Sequence, residues 1–529
     1  MVNLKATYEN IPNGVASGST TSGTNAQSFV NWNDFKSQNP ARKYATLEIN
    51  RWLLDGSFSS FPNEPSNIGY MSTTVSDSNG DFQTPITITR TYNDVYISPG
   101  IMLEFDTTTD DYPKNIRVDW YVNNVLTSTK TFNIDNSRFF CDNDVRFNKI
   151  VITILNTNKP YRFARVLNIL DGIEREFSND EISGMDIIEQ INPHNEVLSI
   201  NQLDMKLIPA SMLGVVFQRT IPFMIYRNNE LYGRFYPVES QIDKDKKLYK
   251  IAAQDYINLL QNTIHLGGIY SNKLASELIS EIMGDVPYEI DNSLIGKTVS
   301  GYLPMQSGRE SLRTILMAIG AIIDTSRNDE VVIKPLSQVV ASTIAESRII
   351  DVQEKNEKIV TNYTLIYSKY VEPGFFEREK EELYNGNITE NTTVYFDKPM
   401  YRITLYDGES SILVRNANYM IVGPGEDNVI YGIPYAVRKQ IFSKRNIFAA
   451  NSDQENTIEI ETSLICDGEN ILDNYSFIKS RIIATFKLEN EMVGDLVAIN
   501  GKKCRILSLN YDLCQNNIYA KAELEEYYE

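Results

Sequence analysis

The segment most diagnostic of the fold is Phe223-Met-Ile-Tyr-Arg-Asn-Asn-Glu-Leu-Tyr-Gly-Arg-Phe235, followed after a polar spacer by Leu248-Tyr-Lys-Ile-Ala-Ala-Gln254. Side chains alternate in character along both parts, which is the two-residue period of a β-strand. Asn228 and Asn229 tolerate the positive φ that a tight hairpin turn requires. The sequence therefore predicts three consecutive strands, with a short apolar helix that begins after Asp255.

Strands of the same kind recur upstream and near the end of the chain. Leu203-Asp-Met-Lys-Leu207 alternates in the same way, and Asn500-Gly501 is a strong signal for a two-residue hairpin turn, with Asn516-Asn517 a weaker one. With the three-strand meander, and with Gly267-Gly268 ahead of a helical pattern, these segments resemble the barrel domains of phage tail hub proteins. Those proteins are trimers that cap the tail tube in long-tailed phages and related contractile particles.

A second resemblance concerns the region before the meander. Ile116-Arg-Val-Asp-Trp-Tyr-Val122 is a strand pattern, and Asn123-Asn124 predicts a tight turn into the next strand. Short strands at such spacing are typical of a sandwich or jelly roll. The closing segment, residues 150–169, resembles the last two strands of a galactose-binding-like jelly roll.

Between the two barrel-like regions the pattern becomes mixed. Apolar residues recur at helical spacing from Leu274 to Ile282. Ser307 and Glu310 form a capping-box pattern ahead of a second apolar helix, and a hairpin pattern covers residues 321–333. This combination predicts a small α/β domain, similar to the insertion that hub proteins carry.

The fold class that follows is mainly β with a small α/β domain, in which a jelly-roll sandwich accompanies two hub-type β-barrel domains. Residues 13–28 are rich in Gly, Ser and Thr and have too few apolar side chains to order the segment by burial. The predicted domains are a flexible N-terminal arm (1–44), a galactose-binding-like jelly roll (45–170), a first hub β-barrel domain (171–261), a small α/β domain (262–336) and a β-rich domain that includes the second hub barrel (337–529).

The chain is strongly acidic, with 69 Asp and Glu against 50 Lys and Arg and a formal net charge of −19 over 529 residues. Stable binding to a phosphate backbone depends on clustered cations, so no stable nucleic-acid binding is expected. An acidic wall past which nucleic acid slides is compatible with this charge. No apolar run is long enough to span a bilayer and the N-terminus lacks an apolar signal core, so we expect no membrane insertion and synthesis in a host cytoplasm.

Candidate catalytic and metal-binding residues are few. The chain has two histidines, His194 in a polar loop and His265 in an apolar one, and neither lies in a known catalytic motif. Cys504 and Cys514 are interpreted as free thiols in strands, with a pair across a hairpin as the alternative. Asp77-Ser-Asn-Gly-Asp81 resembles a calcium loop, but Phe82 replaces the required Gly, so a turn is the better interpretation. No catalytic, cofactor-binding or metal-binding residue is predicted, and we expect no enzyme.

Exposed tryptophans would favour a different role. Trp32, Trp52 and Trp120 could provide a stacking platform for a sugar, although the alternation of Trp120 with Ile116 and Val118 favours the core. The alternative to a hub is therefore an adhesin, whose jelly roll binds a cell-wall saccharide.

The hub resemblance implies a homotrimer in the virion tail or baseplate. It also implies several partner proteins: a tail tube protein, a tape measure protein, a spike or needle protein and baseplate wedge proteins. These expectations describe an assembly component of the particle.

Overall fold

The protein is mainly β. A computed structural model describes residues 2–11, 18–29, 69–105, 111–209, 217–243, 245–355, 358–449 and 456–528. Two compact units divide the chain. The small unit contains Thr7–Glu176 and Ser211–Phe217, and the large unit contains Met1–Ala6, Phe177–Ala210 and Gln218–Glu529.

The strands up to Ser178 belong mostly to the small unit. They are β1 (Leu4–Asn10), β2 (Ser19–Thr24), β3 (Ala26–Phe29), β4 (Gly69–Ser72), β5 (Asp81–Glu104), β6 (Pro113–Val122), β7 (Val125–Asn133), β8 (Arg138–Thr157), β9 (Arg165–Val166), β10 (Asn168–Leu170) and β11 (Ile173–Ser178).

The small unit has two sheets that share one apolar core. The larger sheet has the order β10-β5-β8-β6-β7 with β2 paired to β5, and the smaller has the order β3-β4-β9. Ala26 and Val166 from the smaller sheet belong to the same buried cluster as Ile152 and Trp120 from the larger one. Trp120 is fully buried, which confirms the interpretation of this residue as core. Asn123 and its neighbour have positive φ, as the predicted turn requires.

Part of the segment that we expected to be a flexible arm is paired in the structure. β1, β2 and β3 all lie within residues 1–44. Ser19 to Thr24 pair with Thr87 to Tyr92 of β5, so backbone hydrogen bonds order this Gly- and Thr-rich stretch despite its few apolar side chains. Trp32 and Trp52 lie outside the described residues.

The remaining strands belong to the large unit. They are β12 (Ile182–Gln190), β13 (Gln202–Leu207), β14 (Phe223–Arg227), β15 (Glu230–Asp243), β16 (Leu248–Gln254), β17 (Ile264–His265), β18 (Gly268–Leu274), β19 (Tyr288–Ile290), β20 (Thr298–Leu303), β21 (Gln306–Ser307), β22 (Ala321–Asp324), β23 (Val331–Pro335), β24 (Val340–Ile344), β25 (Ile349–Lys355), β26 (Asn362–Val371), β27 (Glu381–Ile388), β28 (Thr392–Tyr395), β29 (Met400–Asp407), β30 (Ile412–Arg415), β31 (Tyr419–Val422), β32 (Gly425–Pro434), β33 (Ala436–Arg445), β34 (Thr457–Thr462), β35 (Leu464–Cys466), β36 (Ile478–Lys487), β37 (Leu496–Ile499), β38 (Lys502–Asp512) and β39 (Tyr519–Tyr527).

Helices are short and lie in the large unit. The α-helices are α1 (Ala275–Met283) and α2 (Gly308–Ile319), and the 3₁₀ helices are Tyr256–Asn262, Glu346–Arg348, Phe375–Glu377, Ile447–Ala449 and Ile471–Asn474.

The helix that the sequence predicts after the capping-box pattern is α2. The Ser307 hydroxyl accepts a hydrogen bond from the Glu310 backbone N–H, and Gly320 ends the helix in the left-handed conformation. Both α-helices pack into one buried cluster, together with Val331 and Ile333 of β23. This region thus combines helices with the sheet β19-β23-β22.

The three-strand meander is present as predicted. β14 and β15 pair antiparallel with Phe223 opposite Phe235, and β15 continues into a pairing with β16. Asn228 and Asn229 both have positive φ in the connecting turn. Asp255 caps the 3₁₀ helix that follows, and its carboxylate accepts a hydrogen bond from the Ile257 backbone N–H.

The meander and the C-terminal strands form one continuous sheet. Its order includes β15-β16-β13-β12-β38-β39-β36-β25, and we call these strands the seam sheet. The seam itself is the antiparallel pairing of β12 with β38, in which Ile187 lies opposite Tyr511. The predicted Asn500-Gly501 hairpin is confirmed, with positive φ at both residues between β37 and β38. Asn516 lies in a longer connection between β38 and β39.

Candidate assembly surface

The seam sheet has one buried face and one polar face. Ile187 of β12 and Tyr511 of β38 are buried, whereas the alternate residues Asp186 and Asp512 are exposed or half-buried. Since neighbouring strands place paired residues on the same side, the polar side chains form rows across the sheet.

One of these rows is acidic. Asp186 is the register partner of both Asp512 on β38 and Asp204 on β13. Glu239 of β15 lies in the same row, beyond Ala252 of β16. Partial burial raises the pKa of Asp186, and the Asp512 carboxylate raises it further. Like charges directly opposite each other weaken a sheet, so the stability of the fold does not account for this row.

The acidic row was not singled out from the sequence. Its only local signal is that Asp204 alternates with the buried Leu203 and Met205. Lys206 and Lys250 occupy the next row of the same face. Within the described ranges the face therefore has no uninterrupted band of Lys and Arg, and it offers no extended cationic stripe to a phosphate backbone.

An ion pair lies at the seam on the buried face of the sheet, opposite to the acidic row. Arg327, in the turn between β22 and β23, donates from Nε and Nη2 to the two carboxylate oxygens of Glu189 on β12, each at 2.9 Å. The Tyr511 hydroxyl donates to the same carboxylate at 2.7 Å. Burial alone lowers the pKa of Arg327, but the Glu189 carboxylate raises it overall. Arg327 binds the carboxylate of Glu189 on β12, and Tyr511 of β38 binds the same carboxylate. This cluster therefore links both strands of the seam to the turn between β22 and β23.

The large unit also exposes strand edges and apolar side chains. Among the described residues, no strand pairs with the outer edge of β25 or of β33. Phe375 and Phe376 are 82% and 95% exposed, and Ile441 of β33 is 68% exposed. An open edge strand with apolar side chains is a template for pairing with another chain. These features favour an assembly role.

His194 lies in a turn, as its polar sequence context predicts, but the residue is half-buried there and both of its ring nitrogens are buried. Its ring stacks on Tyr475 with 4.4 Å between centroids. Neither ring nitrogen has a hydrogen-bond partner among the described residues. Burial lowers the pKa of His194 to about 4, with smaller contributions from Arg505 and Lys444. The residue packs as a neutral aromatic ring.

We expect His194 to make the protein sensitive to acid. Because its folded pKa is about 4 against 6.5 for the free group, the unfolded chain binds more protons in between, and stability falls as pH falls through that window. His194→Phe keeps the ring and cannot titrate. Its free energy of unfolding relative to the wild type should rise by about 2 kcal/mol between pH 7 and pH 5. Urea denaturation at both pH values measures this, and parallel pH profiles would contradict it.

The other candidate residues are not brought together in one site. His265 Nε2 lies 3.9 Å from Glu281 Oε2. All four cysteines are free, and Cys504 lies opposite Val497 and Glu526, so it does not face Cys514. The Asp77 carboxylate accepts hydrogen bonds from two backbone N–H groups of its own loop, as in a turn. No group of three or more metal-ligating side chains occurs in the described part of the chain.

One cavity in the large unit has a volume of about 710 Å³. Its described lining includes Arg402, Arg415, Tyr401 and Tyr435, with no carboxylate, histidine or cysteine. Such a lining lacks the carboxylate or imidazole that usually serves as a general base. None of the helices in the described ranges combines the length and the hydropathy needed to cross a membrane.

Comparisons with known proteins give weak structural likenesses. No family model and no curated protein sequence matches the chain. The 43 kDa tail protein of prophage MuSo2 from Shewanella oneidensis has a TM-score of 0.40 and 8% identity, over 66% of this chain and 95% of that one. The prophage tail protein gp18 of Listeria monocytogenes has a TM-score of 0.40 and 10% identity, over 66% and 91%. The Francisella PdpA–VgrG complex has a TM-score of 0.34 and 10% identity, over 67% of this chain and 50% of that one. At these TM-scores the likenesses establish neither a shared fold nor a function.

Proposed function

We propose that this chain is a structural protein of a phage tail or of a related contractile particle. In this role it is the hub that caps the tail tube as a trimer and connects the tube to spike and peripheral baseplate proteins. Its partners are then two further copies of itself, the tail tube protein, the tape measure protein, a spike or needle protein and the wedge proteins. The role is mechanical and involves no catalysis.

The observation that carries the proposal is the seam sheet. It joins four strands from the first predicted barrel region, β15-β16-β13-β12, to four from the second, β38-β39-β36-β25. Each chain thus supplies two halves, one from each predicted barrel region, side by side in one sheet. Three chains supply six halves, which is the number needed to match a six-fold tube while keeping three-fold symmetry.

The polar face of the seam sheet supports a channel wall. Asp512, Asp186, Asp204 and Glu239 lie in one row across four of its strands and the intervening Ala252 of β16. A wall with this row repels the phosphate backbone of passing DNA, whereas a continuous basic wall would retain it through counterion release.

A reconstruction of purified particles tests the proposal. We expect three copies of the chain at one end of the tube, with the polar face of the seam sheet towards the lumen. A second readout is the amount of this chain relative to the tube protein by quantitative mass spectrometry. A larger multiple than three copies, or a seam sheet that faces the exterior, would refute the hub role. The larger multiple would instead favour the adhesin.

A further inference from the structure

The three-stranded sheet β33-β26-β34 has two open edges of opposite charge. β26 is the central strand, so among the described residues β33 and β34 each leave one edge unpaired. β33 carries four basic residues and no acidic one, and β34 carries two acidic residues and no basic one. The two edges of one sheet are therefore electrostatically complementary.

Four charged side chains of β33 and β34 that form no ion pair among the described residues lie on one face of this sheet. Lys439 and Arg445 of β33 are opposite Ser368 and Asn362 of β26. Glu459 and Glu461 of β34 are opposite Thr364 and Ile366 of the same central strand. The β26 residues in question alternate along the strand, so all four charged side chains point to the same side of the sheet.

These four charges have no ion-pair partner among the described residues, whereas other charges of β33 are used locally. Arg438 binds the Glu377 carboxylate at 2.6 Å, and Lys444 donates to two backbone carbonyl oxygens. Lys439, Arg445 and both glutamates are exposed. The same edge also exposes Ile441 and Phe442, and unpaired backbone groups beside exposed apolar side chains are a template for pairing with another chain.

We propose that β33 of one copy of this chain pairs with β34 of a second copy. β33 runs antiparallel to β26 and β34 runs parallel to it, so a sheet that continues from one copy to the next joins these edges in the antiparallel sense. The occupant is a second copy because the complementary edge is present on the same sheet. The contact is head-to-tail, and it closes only if the rotation between copies closes.

This inference deepens the proposed function and rests on it for the number of copies. Three copies of the three-stranded sheet close into a ring of nine strands without a free edge. Tyr363 and Leu365 of β26 are buried in the core of their own chain, so the opposite face, with the four charges, points to the inside of that ring. The hub trimer would then have a second closed ring besides the one formed by the seam sheets.

Charge reversal tests the contact in the full-length chain. We expect Lys439→Glu with Arg445→Glu to weaken self-association at least tenfold in sedimentation experiments, and Glu459→Lys with Glu461→Lys to do the same. A variant with all four changes exchanges the signs of the four unpaired charges, so its self-association should return. Lys369→Glu on the central strand is the matched control and should leave association unchanged. If the variant with all four substitutions associates no better than either double variant, the proposal is overturned.

Zero-length carbodiimide cross-linking between ¹⁴N- and ¹⁵N-labelled chains identifies the two surfaces directly. We expect mixed-label peptides that join Lys439 to Glu459 or Glu461. A trimer without such peptides overturns the edge contact and leaves the hub role intact. An open filament with these peptides supports the edge contact and contradicts the three-copy ring. A chain that stays monomeric at millimolar concentration overturns the edge contact, since a self-complementary edge should then associate.

Discussion

Replacing Arg327 by Met should lower the free energy of unfolding of the large unit by about 3–5 kcal/mol, because the fully buried Glu189 carboxylate loses its counterion. The Tyr511 hydroxyl alone then remains as a donor to that carboxylate. Since Glu189 and Tyr511 lie on the two strands of the seam, β12 and β38 should lose protection together. Hydrogen exchange followed by mass spectrometry on peptides from both strands measures the effect.

Two further variants separate the buried charge from other effects. Adding Glu189→Gln to Arg327→Met removes the unpaired charge, so this double variant should be more stable than Arg327→Met alone. Arg234→Met is the matched control, because it breaks a nearby ion pair with the well-exposed Asp329. Its cost should be about 1 kcal/mol or less. Equal losses for Arg234→Met and Arg327→Met would show that burial of the pair is unimportant.

Replacing Trp120 by Ala should cost the small unit about 3–5 kcal/mol, since the side chain is fully buried at the centre of the core and leaves a large cavity. The ring packs edge-on against Phe132 at 6.4 Å between centroids, and this contact is lost as well. Exchange of peptides from β6 and β8, which pair with each other through Trp120 and Ile150, reports the local free energy of opening.

Trp120→Phe is the informative control for that experiment. The indole N–H of Trp120 is buried without a hydrogen-bond partner among the described residues, so the phenyl ring removes an unsatisfied donor along with some volume. We expect a loss of about 1.5 kcal/mol or less. A loss as large as that of Trp120→Ala would mean that the N–H has an acceptor that the packing does not reveal.

Short sequence patterns predicted the turns and the helix start that depend only on neighbouring residues. The turns at Asn228-Asn229 and Asn123-Asn124 follow from the tolerance of Asn for positive φ, and the start of α2 follows from the Ser307 cap. The seam could not be predicted in this way. It joins Glu189 and Tyr511, which are 322 positions apart in the sequence. The sequence of either strand alone does not identify the strand with which it pairs.

The candidate surface shows the same division. The net charge predicted an acidic surface but not where on the fold the acidic residues lie. The alignment of Asp186 with Asp204 and Asp512 depends on the register of three strands. The polar sequence neighbours of His194 predict a loop, and the residue does lie in a turn, but they do not predict how its ring packs. Its actual environment includes Tyr475, 281 positions away. Arg327 was missed because it lies in a polar turn, which normally indicates a solvated side chain.

The seam also fixes when the large unit can be completed during synthesis. β12 and its partner β38 are joined by residues 322 positions apart, and at about 5–20 residues per second a ribosome needs roughly 15–60 s to cover such a distance. For that time the edge of β12 emerges without its partner, while neighbouring ribosomes on the same messenger carry the same edge. An unpaired β12 edge is a template for pairing with the same edge on a neighbouring nascent chain, so slower translation through this interval lengthens the time for which that edge is exposed.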